Sequence, residues 1–291
     1  MITEVKSFVP QKQGCLYLVP TPIGNLDDMS MRAIQTLKEV DLIAAEDTRN
    51  TQKLLNHFAI HTKQISFHEH NTQQRLPELL QKLQAGYNLA QVSDAGMPSI
   101  SDPGQELVAA CVQKQIPVVP LPGPNAALTA LIASGLVPQP FYFYGFLPRK
   151  SKLRQKALQQ LSQLTETFIL YESPFRVKKT VALLSEYLGS TRQIVLAREL
   201  TKVHEAFLRG TLAQVQEYLA NNEPRGEYVL IVAGASDSVT ISQPADVQLL
   251  ELVKQQVAQG LKPNAAIKTI AQKYQLSRQH VYNLYHGLED K

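Results

Sequence analysis

The side chains best suited to chemistry fall in short polar clusters, each following an apolar run. Residues 93–102 read SDAGMPSISD. Asp94 offers a carboxylate there, and the small residues around Gly96, Met97 and Ser101 let a ligand lie against the backbone. In EDTRN (residues 46–50) Glu46, Asp47 and Arg49 gather, as a helix cap with an ion pair or as part of a site. His68 and His70 flank Glu69 in SFHEHN, but no third ligand stands at metal-site spacing, so a polar substrate-facing loop is expected instead of a metal. ESPFR and ARELTKVHE add Glu172, Arg176, Arg198, Lys202 and His204, for which buried ion pairs and site roles both stand open. RKSKLRQK (residues 149–156) carries five positive charges without an acid. A solvated helix face is the usual use of such a run, but its place directly after FYGFLP suits a mouth that receives phosphates.

These clusters need strand ends to hold them. Apolar runs at residues 15–19, 41–45, 88–92 and 117–119 read as strands, with helices between them that include an apolar face of Ala33, Ile34, Leu37 and Val40 and a helix over 72–84. Asp102, Pro103 and Gln105 mark one helix start, and Asn125 opens an alanine-rich helix after the tight turn Pro122-Gly123-Pro124. Strand–helix alternation with short loops implies a largely parallel sheet, in which ligands bind at the carboxyl ends of strands. GLVPQP (135–140) reads as a linker. Beyond it come FYFYGF, a basic helix, TFILY, a helix, QIVLAR and a β-rich pair over 204–210 and 227–233, which predict a mixed sheet. A second linker covers 237–244. Helices then span 245–259, 264–273 and 277–287, with Ile270, Tyr274, Leu276, Val281 and Leu284 placed to pack a helix-turn-helix and Ala271 at its small site; Gln275 stands where the turn usually has glycine. The domains expected are 1–136, 137–236 and 245–291.

The chain has 291 residues, 44% hydrophobic and 19% charged, with a net charge of +4: a globular composition with a mild basic bias. Two separated cysteines, Cys15 and Cys111, argue against a disulfide framework or zinc knuckle. No apolar run reaches the ~18 residues of a membrane span. The polar N-terminus lacks a signal-peptide core, so a cytoplasmic location is expected.

LVPTPIGNLDD, AEDTRNT, SDAGMPSISDPG, PLPGPNAALTAL, FYGFLPRK, YESPFR, ARELTKVHEA and GEYVLIVAG follow one another along the chain. On these motifs the sequence resembles the tetrapyrrole-methylase superfamily and, within it, the ribosomal RNA small subunit methyltransferase I group. The likeness spans nearly the whole chain, including the terminal helical segment. It implies an α/β, two-domain tetrapyrrole-methylase-like (class III methyltransferase) fold with a small C-terminal helical appendage, and S-adenosyl-L-methionine bound in the cleft between the α/β domains. By the same resemblance, Ile23 and Gly24 belong to the first cofactor loop, Asp94, Gly96, Met97 and Ser101 to the second, and Asn125 and Ala126 to the third. Tyr171, Ala197, Tyr228 and Val229 would wall the adenine side. The reaction implied is 2′-O-methylation of a cytidine ribose in the decoding region of 16S ribosomal RNA, on the small ribosomal subunit, by a homodimer.

For that reaction Glu46, His68, Glu172 and His204 are candidate general bases by residue type and loop position. Arg49, Arg149, Lys150, Lys152, Arg154, Arg176, Arg198 and Lys202 are the expected RNA contacts, holding phosphates without reading sequence. A porphyrinoid (precorrin-type) methylase is the nearest alternative, since its acidic substrate also suits a basic cleft. A diphthamide-pathway methylase and a DNA-binding regulator using the terminal helices stand further off.

Overall fold

Short apolar runs bounded by turns become strands, and the lengths between them decide how they pair. The computed structural model describes residues 4–6, 12–100, 104–235, 246–274 and 276–288. Strands β1 (Leu16–Leu18), β2 (Leu42–Ala45), β3 (Gln64–Ser66), β4 (Leu89–Val92) and β5 (Val118–Pro120) form one sheet in the order β3-β2-β4-β1-β5, with every neighbouring pair parallel. Parallel neighbours need crossovers, which α1 (Met31–Glu39), α2 (Thr48–His57), α3 (Thr72–Gln84) and α4 (Gly104–Gln113) supply. Alternation along β2 sends Ile43 and Ala45 to the face covered by Ala33, Leu37, Leu54 and Leu55. Leu42 and Ala44 go to the other face, under Leu79, Leu83, Leu107 and Cys111. The edge strand β3, which pairs only with β2, was not marked in the sequence: its three half-buried residues carry no periodicity. Asp102 and Pro103, read as the start of α4, lie outside the described residues.

The second sheet runs β6 (Phe141–Phe146), β7 (Thr167–Glu172), β10 (Tyr228–Val232), β8 (Gln193–Arg198), β9 (Ala206–Thr211). It is mixed as expected: β6 and β7 are parallel, and the remaining pairs antiparallel. One face is covered by α6 (Ser151–Ser162), α7 (Pro174–Leu188) and α8 (Leu212–Asn221), through Leu158, Leu161, Val177, Val181, Leu184 and Val215. The other face receives α5 (Ala126–Ser134), a helix that follows the last strand of the first sheet. Its Ala127, Ala130 and Leu131 pack on Ile169, Val195 and Ile231. The two sheets are thereby joined through an apolar layer and belong to one compact unit, Met1–Gly234.

Ala235–Lys291 form a separate unit. Within it α9 (Asp246–Ala258), α10 (Pro263–Lys273) and α11 (Arg278–His286) enclose Leu249, Val253, Ala266, Ile267, Ile270, Ala271 and Val281, with Tyr274, Leu276 and Leu284 packed against them. Ser277 caps α11 by accepting from the His280 N–H at 3.0 Å. Gln275 and the second linker lie outside the described residues. No helix among the described residues is long and apolar enough to cross a membrane.

Candidate active site

The loops at the carboxyl ends of β1, β2 and β4 and the start of α5 face the second sheet across a cleft of about 450 Å³. That volume lies in the range of small-molecule sites. Ile23, Ala95, Gly96 and Met97 form one side, with Asn125 and Ala126 at the helix start. Gly96 has φ +79° and exchanges both backbone hydrogen bonds with Thr21 at 3.0 Å, so the second loop is stitched to the first in a conformation glycine favours. Asn125 caps α5, its Oδ1 accepting from the Leu128 N–H at 2.9 Å.

The opposite wall comes from strand register. Because β10 runs antiparallel to β7 and β8, its first residues meet their last ones. Val229 lies between Tyr171 and Ala197, and Tyr228 between Glu172 and Arg198. Tyr171, Ala197, Tyr228 and Val229 all line the cleft. The Tyr171 hydroxyl accepts from the Ala127 N–H at 3.2 Å, and its ring lies edge-on to Phe143 and Phe146. Burial raises its pKa further from neutrality, outweighing the opposing effect of that bond, so the phenol stays protonated.

Gly24 and Asp94 stand elsewhere. They line an adjoining pocket of about 230 Å³ with Pro22, Asn50 and Lys53, which shares Ser93 with the cleft. Asp94 ties loops together: its carboxylate accepts from the Asp47 N–H and from Asn50 Nδ2, both at 3.2 Å, and its own N–H donates to Glu46 Oε2 at 3.1 Å. A Cβ on Gly24 would fall 2.4 Å from Lys202 Cγ and 2.8 Å from Thr201 Oγ1, so only glycine lets the first loop approach the turn after β8 this closely. Ser101 lies outside the described residues.

Of the four candidate general bases, Glu46 and Glu172 line the cleft. Glu172 is committed to the fold. It is 2% exposed and accepts from the Ser173 N–H (2.9 Å) and the Thr180 hydroxyl (2.7 Å), with Arg176 Nε at 3.4 Å. His68 sits in the turn before α3, its N–H bonded to Asn71 Oδ1 at 2.9 Å, and His204 is exposed beyond β8; neither is among the cleft residues.

The cations divide as well. Arg176 also donates to the Leu147 carbonyl, Arg198 to the His204 carbonyl, and Lys202 bridges Glu199 and Glu227 at 2.9 Å each. Burial disfavours the Lys202 charge, but the two carboxylates outweigh it and raise its pKa. Arg49 pairs with Asp47 at 2.6 Å, which holds the Asp47 carboxyl at about 2, and remains 86% exposed. Arg149, Lys150 and Lys152 are exposed and form no ion pair among the described residues; Arg154 folds back onto the Arg149 carbonyl. Among the described residues no three His, Cys, Asp or Glu side chains gather as metal ligands would. The cleft also takes in Phe146, Leu200 and Glu227, which sequence reasoning missed. Each lies inside a motif already singled out: Phe146 in FYGFLP, Leu200 in ARELTKVHE and Glu227 in GEYVL.

A parallel sheet, a mixed sheet and a cleft at their facing strand ends define the class. Residues 15–216 match the model of the Tetrapyrrole (Corrin/Porphyrin) Methylases, and the chain belongs to that family. Within it, the chain is 54% identical over 284 residues to the protein named Ribosomal RNA small subunit methyltransferase I in Streptococcus pyogenes serotype M3, covering 97% of this chain and 99% of the relative. Two solved structures share the fold. Cobalt precorrin-4 methyltransferase superposes with a TM-score of 0.59 at 16% identity, over 78% of this chain and 98% of that one. Uroporphyrin-III C-methyltransferase from Thermus thermophilus, complexed with S-adenyl homocysteine, gives 0.53 at 18% identity, over 76% and 97%.

Proposed function

We propose that this protein is an S-adenosyl-L-methionine-dependent methyltransferase of small-subunit ribosomal RNA, acting on the 2′-hydroxyl of a cytidine ribose in the decoding region. The full-length identity of 54% to a relative named for small-subunit ribosomal RNA carries the reading. The cleft fits the cofactor: small residues (Ala95, Gly96, Ala126, Ala197) leave its walls close to backbone, while Tyr171 and Val229 offer flat and apolar surface to a purine. When bound, the cofactor supplies a methyl group already activated on a sulfonium. The protein's task is then to orient acceptor, methyl and sulfur in line, a large share of any such barrier.

Glu46 is the carboxylate that takes the hydroxyl proton. It lines the cleft beside the loop it anchors and is only half-buried, whereas Glu172 is 2% exposed. Arg149, Lys150 and Lys152, next to the β6 end that reaches the cleft, hold phosphates and steer the RNA. The acceptor is the assembled small subunit in the cytoplasm, because phosphate contacts alone select no sequence and shape must do so. The working form is a homodimer. Helix α5 is apolar nearly all round but buries one face only, leaving Leu128, Ile132 and the following Val137 for a second copy to cover.

The test offers labelled S-adenosyl-L-methionine with unmodified small subunits, free small-subunit RNA and a porphyrinoid, followed by mass spectrometry of the products. The expected product is 2′-O-methylcytidine on the particle. Label on the porphyrinoid alone, or on a base instead of a ribose, overturns the proposal.

A further inference from the structure

The mouth of the cleft keeps apolar side chains in water. Phe146 and Ile100 line the cleft and are 53% and 54% exposed. Phe175 directly follows Ser173 and Pro174, which also line it, and is 96% exposed; Val203 directly follows Lys202 and is 97% exposed. Single exposed apolar residues are ordinary. Four of them on or next to the lining of one cleft are a different matter, and an aromatic ring left almost wholly in water contributes nothing to folding.

The mounting beneath Phe175 is rigid. Pro174 opens α7 with its φ preset, and Ser173 before it is held by the buried Glu172 carboxylate at 2.9 Å. One residue on, Arg176 bonds the Leu147 carbonyl at 2.9 Å and so locks the first turn of α7 to the end of β6. A bare ring on a fixed support beside a cleft is suited to take a flat partner face-on.

We propose that Phe175 is a base-stacking residue: its ring takes the face of an unpaired nucleobase in the RNA strand that enters the cleft. This rests on the reading above and deepens it. Charge from Arg149, Lys150 and Lys152 holds phosphates but does not fix the rotation of a nucleotide, whereas a ribose hydroxyl must be aimed at the methyl group within a narrow angle. Stacking an unstacked base on an aromatic ring supplies that restraint, and does so independently of sequence because every base has a π-face.

The experiment measures steady-state methyl transfer to small ribosomal subunits, with cofactor binding by calorimetry and thermal midpoint as controls. Phe175→Ala is expected to raise KM for the particle by about tenfold or more, the loss typical of one stacked base, with cofactor affinity and midpoint unchanged. Phe175→Trp and Phe175→Tyr restore the wild-type KM, and Phe175→Leu does not. A wild-type KM in Phe175→Ala overturns the inference, as does full restoration by leucine, which would make the contact merely apolar. Either result leaves ribosomal RNA methylation by the wild type standing. A wild type that binds cofactor but methylates no RNA overturns the functional reading itself, and the stacking with it.

Discussion

Glu172 separates a structural carboxylate from a chemical one. It lines the cleft and sits at a strand end, as a general base would, yet its oxygens serve Ser173, Thr180 and Arg176. Glu172→Ala removes the acceptor for the Thr180 hydroxyl, on a residue 3% exposed, and for the Ser173 N–H. It also leaves Arg176 without its carboxylate. Each orphaned buried group costs about 1–3 kcal/mol, while Arg176 is 28% exposed and keeps the Leu147 carbonyl, so its lost pairing adds little. For the two orphaned groups about 4 kcal/mol is the total expected for the substitution. For a unit of this size each kcal/mol lowers the midpoint by roughly 2–4 °C, so the variant should melt roughly 8–16 °C below the wild type. Glu172→Gln keeps one oxygen for Thr180 but turns an NH2 toward another donor, and should lose about half as much. Differential scanning calorimetry beside single-turnover methyl transfer reads both quantities. If both variants melt within about 2 °C of the wild type while the chemical step collapses, the carboxylate is a reacting group and the structural argument is wrong.

Two other perturbations follow from the geometry. Gly24→Ala places a methyl 2.4 Å from Lys202 Cγ and 3.1 Å from the Leu200 carbonyl. Overpacking of that kind costs about 1–3 kcal/mol, and by forcing the first loop from the turn after β8 it should weaken cofactor binding in calorimetry; unchanged affinity and midpoint would contradict the close approach. The cysteines supply a pH dependence. Burial lifts Cys15 to about 11, against a small opposing hydrogen bond from Tyr17, and lifts Cys111 to about 12, with Cys15 adding to it. A raised folded pKa means stability is fully present below the unfolded value of about 8.5 and is lost as pH rises through the folded values. Denaturant midpoints should therefore fall from about pH 8.5 upward, and the Cys15→Ala/Cys111→Ala double variant should flatten that decline. At pH 8 a disulfide reagent should label the native protein only as fast as it opens; stoichiometric labelling at the rate of a free thiol would show the burial to be misjudged.

The elements themselves were legible in the sequence because their signals are local. Period and caps act over a few residues: the Asn125 cap, the helix over 72–84 and the apolar set of the terminal helices each follow from neighbours in the chain. The motif loops were legible for the same reason, and Ile23, Gly96, Met97, Asn125, Ala126, Tyr171, Ala197, Tyr228 and Val229 do line one cleft. Strand β3 escaped because three half-buried residues leave no pattern.

By itself the sequence determined the strand–helix alternation, the polar clusters at strand ends and the family. It could not determine how the polar groups would be spent. Asp94 turns to Asn50 and the Asp47 N–H beside a second pocket, Glu172 turns inward to Thr180, and Lys202 is held between Glu199 and Glu227. Tyr171, Val229 and Ala197 become neighbours only through the antiparallel register of β10, and α5 leaves one sheet to cover another. Most of these depend on partners far along the chain, such as Asp47 for Asp94 and Glu227 for Lys202. A buried polar group is satisfied by whatever the packing brings within hydrogen-bond reach, and that is decided only when the sheets close on each other.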